Sequence, residues 1–331
     1  MHPLLAAQQA EAKVQLPEPV YRYYAGGAGA ELSLHEAEPA WQDVRLRPRV
    51  LRDVSCIDTS VELLGSRLST PVLAGPTALH GLACPEGEPA TARGVASAGS
   101  LLVLSTRASQ PLEDVPVGPW WFQAYVMRDR GRTLDLVRRA VAAGATAVVL
   151  TGDVPYLGAR HGMTRLELQG PADPGTEQDP AAGLELIGQL TEASGLPVLV
   201  KGVLRGDDAT ACLAAGASGV VVSNHGGRQL DRALTSAAAL PEVADAVAGR
   251  GLVLVDGGIR SGLDVLCALA LGADAVLLGR PILWALAADG ADGVARCLRA
   301  VTDDLGHVMG LAGARTLAEV TSDLVHRPAG R

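Results

Sequence analysis

Aromatic residues are scarce, only 3% of a 331-residue chain. A core must therefore be built from aliphatic side chains, and apolar residues at 48% supply enough of them. Cysteines are few and odd in number: Cys56, Cys84, Cys212, Cys267 and Cys297. None falls in a CxxC spacing, so neither a zinc ribbon nor a dithiol redox motif is present, and no metal centre is expected. The scattered thiols read as reduced core residues of a cytosolic protein. Positive charge is also short, with 28 Lys and Arg against 36 Asp and Glu, a net charge of -8. That balance argues against a general nucleic-acid surface, so any anion must be held by a few locally placed cations. No apolar run is long enough to span a bilayer. The N-terminus, Met1 to Ala10, lacks the basic start and apolar stretch of a secretory signal, so a cytoplasmic protein without membrane contact is expected.

What the chain does have, from residue 70 onward, is a repeat of apolar strands and Ala- and Leu-rich helical stretches. The strands read as Pro71–Gly75, Leu101–Ser105, Trp120–Tyr125, Thr146–Thr151, Pro197–Lys201, Gly219–Ser223, Leu252–Asp256 and Ala275–Gly279. Gly99, Gly144, Gly216 and Gly272 each stand just past a helical stretch, where a left-handed residue ends a helix. Near-continuous apolar strands alternating with helices mean a parallel sheet covered on its outer side. Eight such units point to a (β/α)8 barrel, the TIM barrel. A doubly wound open sheet is the alternative, but no G-x-G-x-x-G follows the first strand. Residues 1–45 read as helical. The expectation is one domain, residues 1–331, with a helical lead-in to 69, a barrel core over 70–285 and C-terminal helices over 286–331.

Barrel enzymes place their chemistry at the carboxyl ends of the strands. Here those ends carry Pro76-Thr77-Ala78, Ser105, Gln123 with Tyr125, Thr151 with Asp153, Lys201, Ser223 with His225, Asp256-Gly257-Gly258, and Gly279-Arg280. The densest cluster is Ser223-Asn-His-Gly-Gly-Arg-Gln229, after an apolar strand. It delivers an imidazole (His225) and a guanidinium (Arg228) together, a pairing suited to removing a proton from an anionic substrate. A solvated polar turn is the plainer reading of a lone histidine. The glycine turns after the last two strands, with Arg260 and Arg280 beside them, read as a phosphate cradle. Lys201 is either a lysine reaching for the barrel rim or a buried cation in the site.

Ser223 to Gln229 resembles the motif of the FMN-dependent 2-hydroxy acid oxidising family, which includes glycolate oxidase, lactate oxidase and mandelate dehydrogenases. The likeness runs from about Leu16 to about Gly310 and takes in Tyr21-Arg-Tyr-Tyr-Ala-Gly-Gly27, Asp153-Val-Pro-Tyr-Leu-Gly-Ala-Arg160 and Val200-Lys201-Gly202. It implies FMN as cofactor. Pro76, Thr77, Ala78, Ser105, Gln123, Thr151 and Ser223 would then contact the flavin ring or ribityl chain. Lys201 would stand near the ring's N1 and O2, while Asp256, Gly257, Gly258, Arg260, Gly279 and Arg280 would serve the ribityl and phosphate end. His225 would be the base and Asp153 would orient it. Tyr23, Arg160 and Arg228 would bind the substrate carboxylate, and Tyr125 the reacting hydroxyl. The reaction implied is oxidation of an L-2-hydroxy acid to the 2-oxo acid, with oxygen or another electron acceptor regenerating the cofactor. Proton removal from the α-carbon and from the hydroxyl both remain open. Members of the family often assemble as tetramers, so a homo-oligomer is expected.

Three departures bear on the substrate. The family's long lid excursion is markedly shortened over His161 to Leu196 and lacks its further arginine element. Arg107 stands where glycolate oxidase has an aromatic pocket residue, and Cys84 replaces a histidine common in that stretch. The wording around Pro76–Ala83 and Tyr23 is nearest the lactate and hydroxymandelate oxidase branches, which leans the substrate toward a larger, aryl 2-hydroxy acid. The rival readings are another flavin barrel of the isopentenyl-diphosphate isomerase or IMP dehydrogenase type, and a non-catalytic FMN-binding barrel.

Overall fold

The computed structural model describes residues 1–115, 117–160 and 176–326. Three helices lead in: α1 (Pro3–Gln15), α2 (Glu18–Ala25) and α3 (Leu32–Gln42). Prolines stand in the first turns of α1 and α2, where a missing N–H costs nothing. A short antiparallel hairpin follows, β1 (Val61–Leu63) and β2 (Ser66–Leu68). Sequence reasoning gave no warning of it. Its turn residues Leu64 and Gly65 both have positive φ (46° and 79°), and leucine is an unusual choice for such a turn.

Eight parallel strands then close into a barrel: β3 (Val72–Ala74), β4 (Leu102–Ser105), β5 (Trp120–Ala124), β6 (Val148–Thr151), β7 (Val198–Val203), β8 (Gly219–Val222), β9 (Leu252–Asp256) and β10 (Ala275–Leu278), with β10 pairing β3. Each lies within or overlaps the strand read from the sequence, and β7 runs on to Val203. Helices α4 (Gly87–Ser97), α5 (Arg130–Ala142), α6 (Glu185–Ser194), α7 (Gly206–Ala214), α8 (Ser236–Val247), α9 (Gly262–Ala270) and α10 (Arg280–Ala312) form the outer layer. Gly99, Gly144, Gly216 and Gly272 all have positive φ, as helix ends of this kind require. The last helix starts inside the span assigned to the barrel and breaks at Asp289–Gly290.

Two apolar layers result. The outer one packs strands against helices. The inner one stacks Leu73, Val103, Trp121, Val149, Leu199, Val221, Leu254 and Leu277 inside the barrel. Leu63 and Leu68 of the hairpin join that stack, so β1 and β2 seal the barrel's amino-terminal end. The opposite end is left for polar chemistry. Among the described residues no helix is long and apolar enough to cross a membrane.

Candidate active site

Strand alternation builds the floor. Side chains two residues apart on a strand share a face, so the residue two beyond each interior apolar side chain also points inward, one layer nearer the mouth. Val103, Trp121, Val149, Leu199, Val221 and Leu254 lie in the interior stack. Their inward successors are Ser105, Gln123, Thr151, Lys201, Ser223 and Asp256. The polar ring anticipated from the strand ends is thus a consequence of register.

Its members satisfy one another. Ser105 Oγ donates to Gln123 Oε1 at 3.1 Å, and Gln123 Nε2 donates to Thr151 Oγ1 at 2.8 Å. Lys201 Nζ donates to Ser223 Oγ at 2.6 Å and pairs with Asp256 Oδ2 at 3.0 Å. Burial pulls the Lys201 ammonium down, but the carboxylates of Asp256 and Asp153 outweigh it and hold the pKa above its ordinary value. The lysine is a buried, charged member of the site rather than a rim side chain.

The rim rises above this floor. Ser223 Oγ also accepts from the backbone N–H of His225 at 3.0 Å. His225 has φ 59°, and Gly226 and Gly227 follow at 63° and 71°. A left-handed histidine costs about 1–3 kcal/mol, a strain characteristic of functional sites. His225 Nδ1 lies 3.0 and 3.2 Å from the two carboxylate oxygens of Asp153. Burial pushes the Asp153 carboxyl up, yet the imidazole beside it and its hydrogen bond bring the pKa below the ordinary value. An ionised Asp153 fixes the proton on Nδ1 and leaves Nε2 as the acceptor.

Tyr23 gathers two guanidiniums. Arg228 Cζ lies 5.2 Å and Arg160 Cζ 5.9 Å from its ring centroid. Arg228 is held in place by Nη1, which donates at 2.8 Å to the carbonyls of both Tyr23 and Gly26. Burial, and then the neighbouring Arg160 charge, depress the Arg228 pKa, so the pair favours an anion between them. Among the described residues, Arg160 Nε is buried with no hydrogen-bond partner. Tyr24, by contrast, donates its hydroxyl to the Leu79 carbonyl, and Tyr21 stacks on Trp284 at 5.0 Å. Of the three tyrosines, only the middle one has its ring against the two arginines.

One cleft collects these groups. It has about 920 Å3 of empty space open to solvent, and its lining includes Tyr23, Pro76, Thr77, Ala78, Ser105, Tyr125, Arg160, Lys201, His225, Arg228, Asp256, Gly257, Gly258, Arg260, Gly279 and Arg280. Gln123 and Ser223 stand behind that lining, hydrogen-bonded to Ser105 and Lys201, and Thr151 is reached through Gln123. At the far end Gly257 and Gly258 have φ 95° and 77°, and a Cβ at Gly258 would run into the Ala37 carbonyl. Arg280 donates at 3.0 Å to the carbonyls of Tyr24, Gly226 and Gly26, tying the lead-in helices to the cradle. Arg260 pairs with Glu38 at 3.0 Å, so its charge is partly spent within the protein.

The cleft fits a flavin mononucleotide. Among the described residues Asp256 Oδ1 is buried without a partner, and a ligand hydroxyl or N–H would satisfy this acceptor. The two left-handed glycines lie in the cleft lining beside Arg280, whose charge would suit a phosphate. The family described as "FMN-dependent dehydrogenase" matches residues 12–182 and 171–327. The chain belongs to that family. The FMN-dependent dehydrogenase relatives include L-lactate oxidase of Nostoc sp., 42% identical with 95% of each chain covered. They also include 4-hydroxymandelate oxidase of Amycolatopsis orientalis, 41% identical with the same coverage. A crystal structure of mandelate oxidase with (S)-2-phenylpropionate superposes with a TM-score of 0.89 at 42% identity, covering 97% of each chain. FMN is accordingly the cofactor of this protein.

The sequence reading missed one member of the site. Gln229 donates through Nε2 to the carbonyls of Asp153 (3.0 Å) and Tyr156 (2.8 Å), and accepts at Oε1 from Gly158 N–H at 3.1 Å. One amide thus clamps the segment carrying both Asp153 and Arg160. Gly158 is pressed onto the Arg228 carbonyl, leaving no room for a Cβ. The signal was present, a glutamine directly after Arg228, but nothing in the sequence showed what it faced. Of the shortened lid read over 161–196, residues 161–175 lie outside the described residues.

Proposed function

We propose that the protein oxidises an L-2-hydroxy acid to the corresponding 2-oxo acid. The observation that carries this reading is the convergence, around one cleft, of the Asp153–His225 pair and the two guanidiniums at Tyr23. Arg160, Arg228 and the Tyr23 hydroxyl hold the substrate carboxylate and fix its plane. His225 Nε2 takes a proton from the substrate, and Asp153 stabilises the imidazolium that results. Tyr125, whose phenol is raised in pKa by burial, remains protonated and donates to the substrate oxygen. Bound FMN supplies the two-electron acceptor. Lys201 holds a fixed positive charge in the floor of the cleft, which would offset negative charge on the reduced cofactor.

Oxygen or another acceptor regenerates the cofactor, and the enzyme works in the cytoplasm as a homo-oligomer. Relatives named for lactate, glycolate and 4-hydroxymandelate are equally similar, so the substrates to test run from glycolate to an aryl 2-hydroxy acid. The test is an anaerobic panel of 2-hydroxy acids mixed with the FMN-loaded protein, read by loss of flavin absorbance. Bleaching by L-2-hydroxy acids and not by their D-enantiomers is expected. A yellow protein that none of them bleaches would refute the reading.

A further inference from the structure

A further cation, which the carboxylate clamp does not use, stands behind Tyr125 of the cleft lining. Arg107 follows β4, and its backbone is pinned at both ends. Its N–H donates to Ser105 Oγ at 3.1 Å, and its carbonyl accepts from Leu79 N–H at 3.0 Å. Its guanidinium carbon lies 6.0 Å from the centroid of the Tyr125 ring, and Tyr125 lines the cleft. The side chain is half-buried, and among the described residues its one hydrogen bond is from Nη2 to the Thr176 carbonyl at 3.2 Å. The acid next to Thr176, Glu177, is drawn to Arg128 at 3.6 Å, and the acid nearest Arg107 along the chain, Glu113, pairs with Arg139 at 2.7 Å. Arg107 itself makes no ion pair among the described residues.

A half-buried cation that pairs with no described carboxylate is placed to receive one from a ligand. Two tyrosines of the cleft lining thus have guanidiniums beside them: Tyr23 with Arg160 and Arg228, which also line the cleft, and Tyr125 with Arg107. The first binds the carboxylate next to the reacting carbon. We propose that the second selects a distal anionic group, so that the preferred substrate is a 2-hydroxy acid with a second carboxylate at the far end of its side chain. The inference rests on the oxidase reading above and narrows its substrate class. It replaces the aryl lean taken from the sequence with a charge requirement.

The experiment compares acids of equal length on the FMN-loaded wild-type protein and on Arg107→Leu and Arg107→Lys. The pairs are L-2-hydroxyglutarate against L-2-hydroxyvalerate, and L-malate against L-2-hydroxybutyrate, with L-lactate and L-mandelate as references. The apparent dissociation constant is read from the substrate dependence of anaerobic flavin reduction. In the wild type the diacid of at least one pair should bind roughly ten- to hundred-fold tighter than its neutral partner, the range of one charge-assisted contact. Arg107→Leu should erase that preference while leaving the constants for the monoacids and the limiting reduction rate unchanged, and Arg107→Lys should restore part of it. A diacid preference that survives Arg107→Leu, no preference in either pair, or a mandelate preference that Arg107→Leu abolishes would each overturn the proposal. If monoacids or mandelate bleach the flavin and diacids show no advantage, only this inference fails. If nothing bleaches it, the parent reading fails.

Discussion

The floor and the rim of the cleft are built on opposite principles. In the floor, charges and hydroxyls answer one another: Ser105 to Gln123 to Thr151, and Lys201 to Ser223 and Asp256. In the rim, like charges are crowded. Arg160 and Arg228 share the face of Tyr23, and the Arg160 Nε has no partner among the described residues. The floor is held by strands whose alternation is locked to the packed barrel interior, while the rim is carried by α2 and by segments that follow the strands. The lesson is that a satisfied layer fixes position and an unsatisfied one above it supplies binding energy.

Substitutions should separate the two layers, and the largest effect belongs to the rim. His225→Ala is expected to slow flavin reduction by roughly a thousand-fold, within the range for losing a general base. FMN should stay bound and the unfolding midpoint stay close to wild type. Rapid-mixing absorbance on the anaerobic protein measures the rate, and an unchanged rate would remove His225 from the chemistry. In the floor, Asp256→Ala leaves the Lys201 ammonium buried and unpaired, and should cost about 3–5 kcal/mol of stability in urea unfolding. A variant as stable as the wild type would show that the floor is not the rigid layer described. The smallest effect is set where the layers meet. Gln229→Met removes three hydrogen bonds from the segment carrying Asp153 and Arg160. It should slow reduction and raise KM together, each by about ten-fold, the worth of one to two ordinary hydrogen bonds. Gln229→Glu keeps the acceptor for Gly158 and should fall between. A change in stability alone, with the kinetics intact, would reduce Gln229 to a structural role.

The floor was largely legible in the sequence because it obeys a period. Once Val103, Trp121, Val149, Leu199 and Val221 are read as interior, the residues two beyond them must face the same way. The rim residues were legible only through local motifs, since Tyr23, the Asp153–Arg160 stretch and Arg228 come from three segments that no periodicity relates. Arg260 was read as a phosphate ligand, and its pairing with Glu38 of α3 is a long-range contact no spacing reveals. The hairpin at Val61–Leu68 escaped for a local reason: three-residue strands are too short to show alternation, and Leu64-Gly65 lacks the usual turn residues. Gln229 was visible as a residue but not as a clamp, because its partners are backbone atoms some 70 positions away.

The central claim is that the paired guanidiniums at Tyr23 hold the substrate carboxylate while the Asp153-oriented imidazole faces the reacting carbon. A crystal structure of the FMN-loaded His225→Ala protein soaked with L-lactate tests it most directly. The account predicts the carboxylate within hydrogen-bond distance, about 2.7–3.0 Å, of both Arg160 and Arg228, with the α-carbon facing the space vacated by the imidazole. A carboxylate held elsewhere, with Arg160 and Arg228 both turned to the cofactor's phosphate, would contradict it.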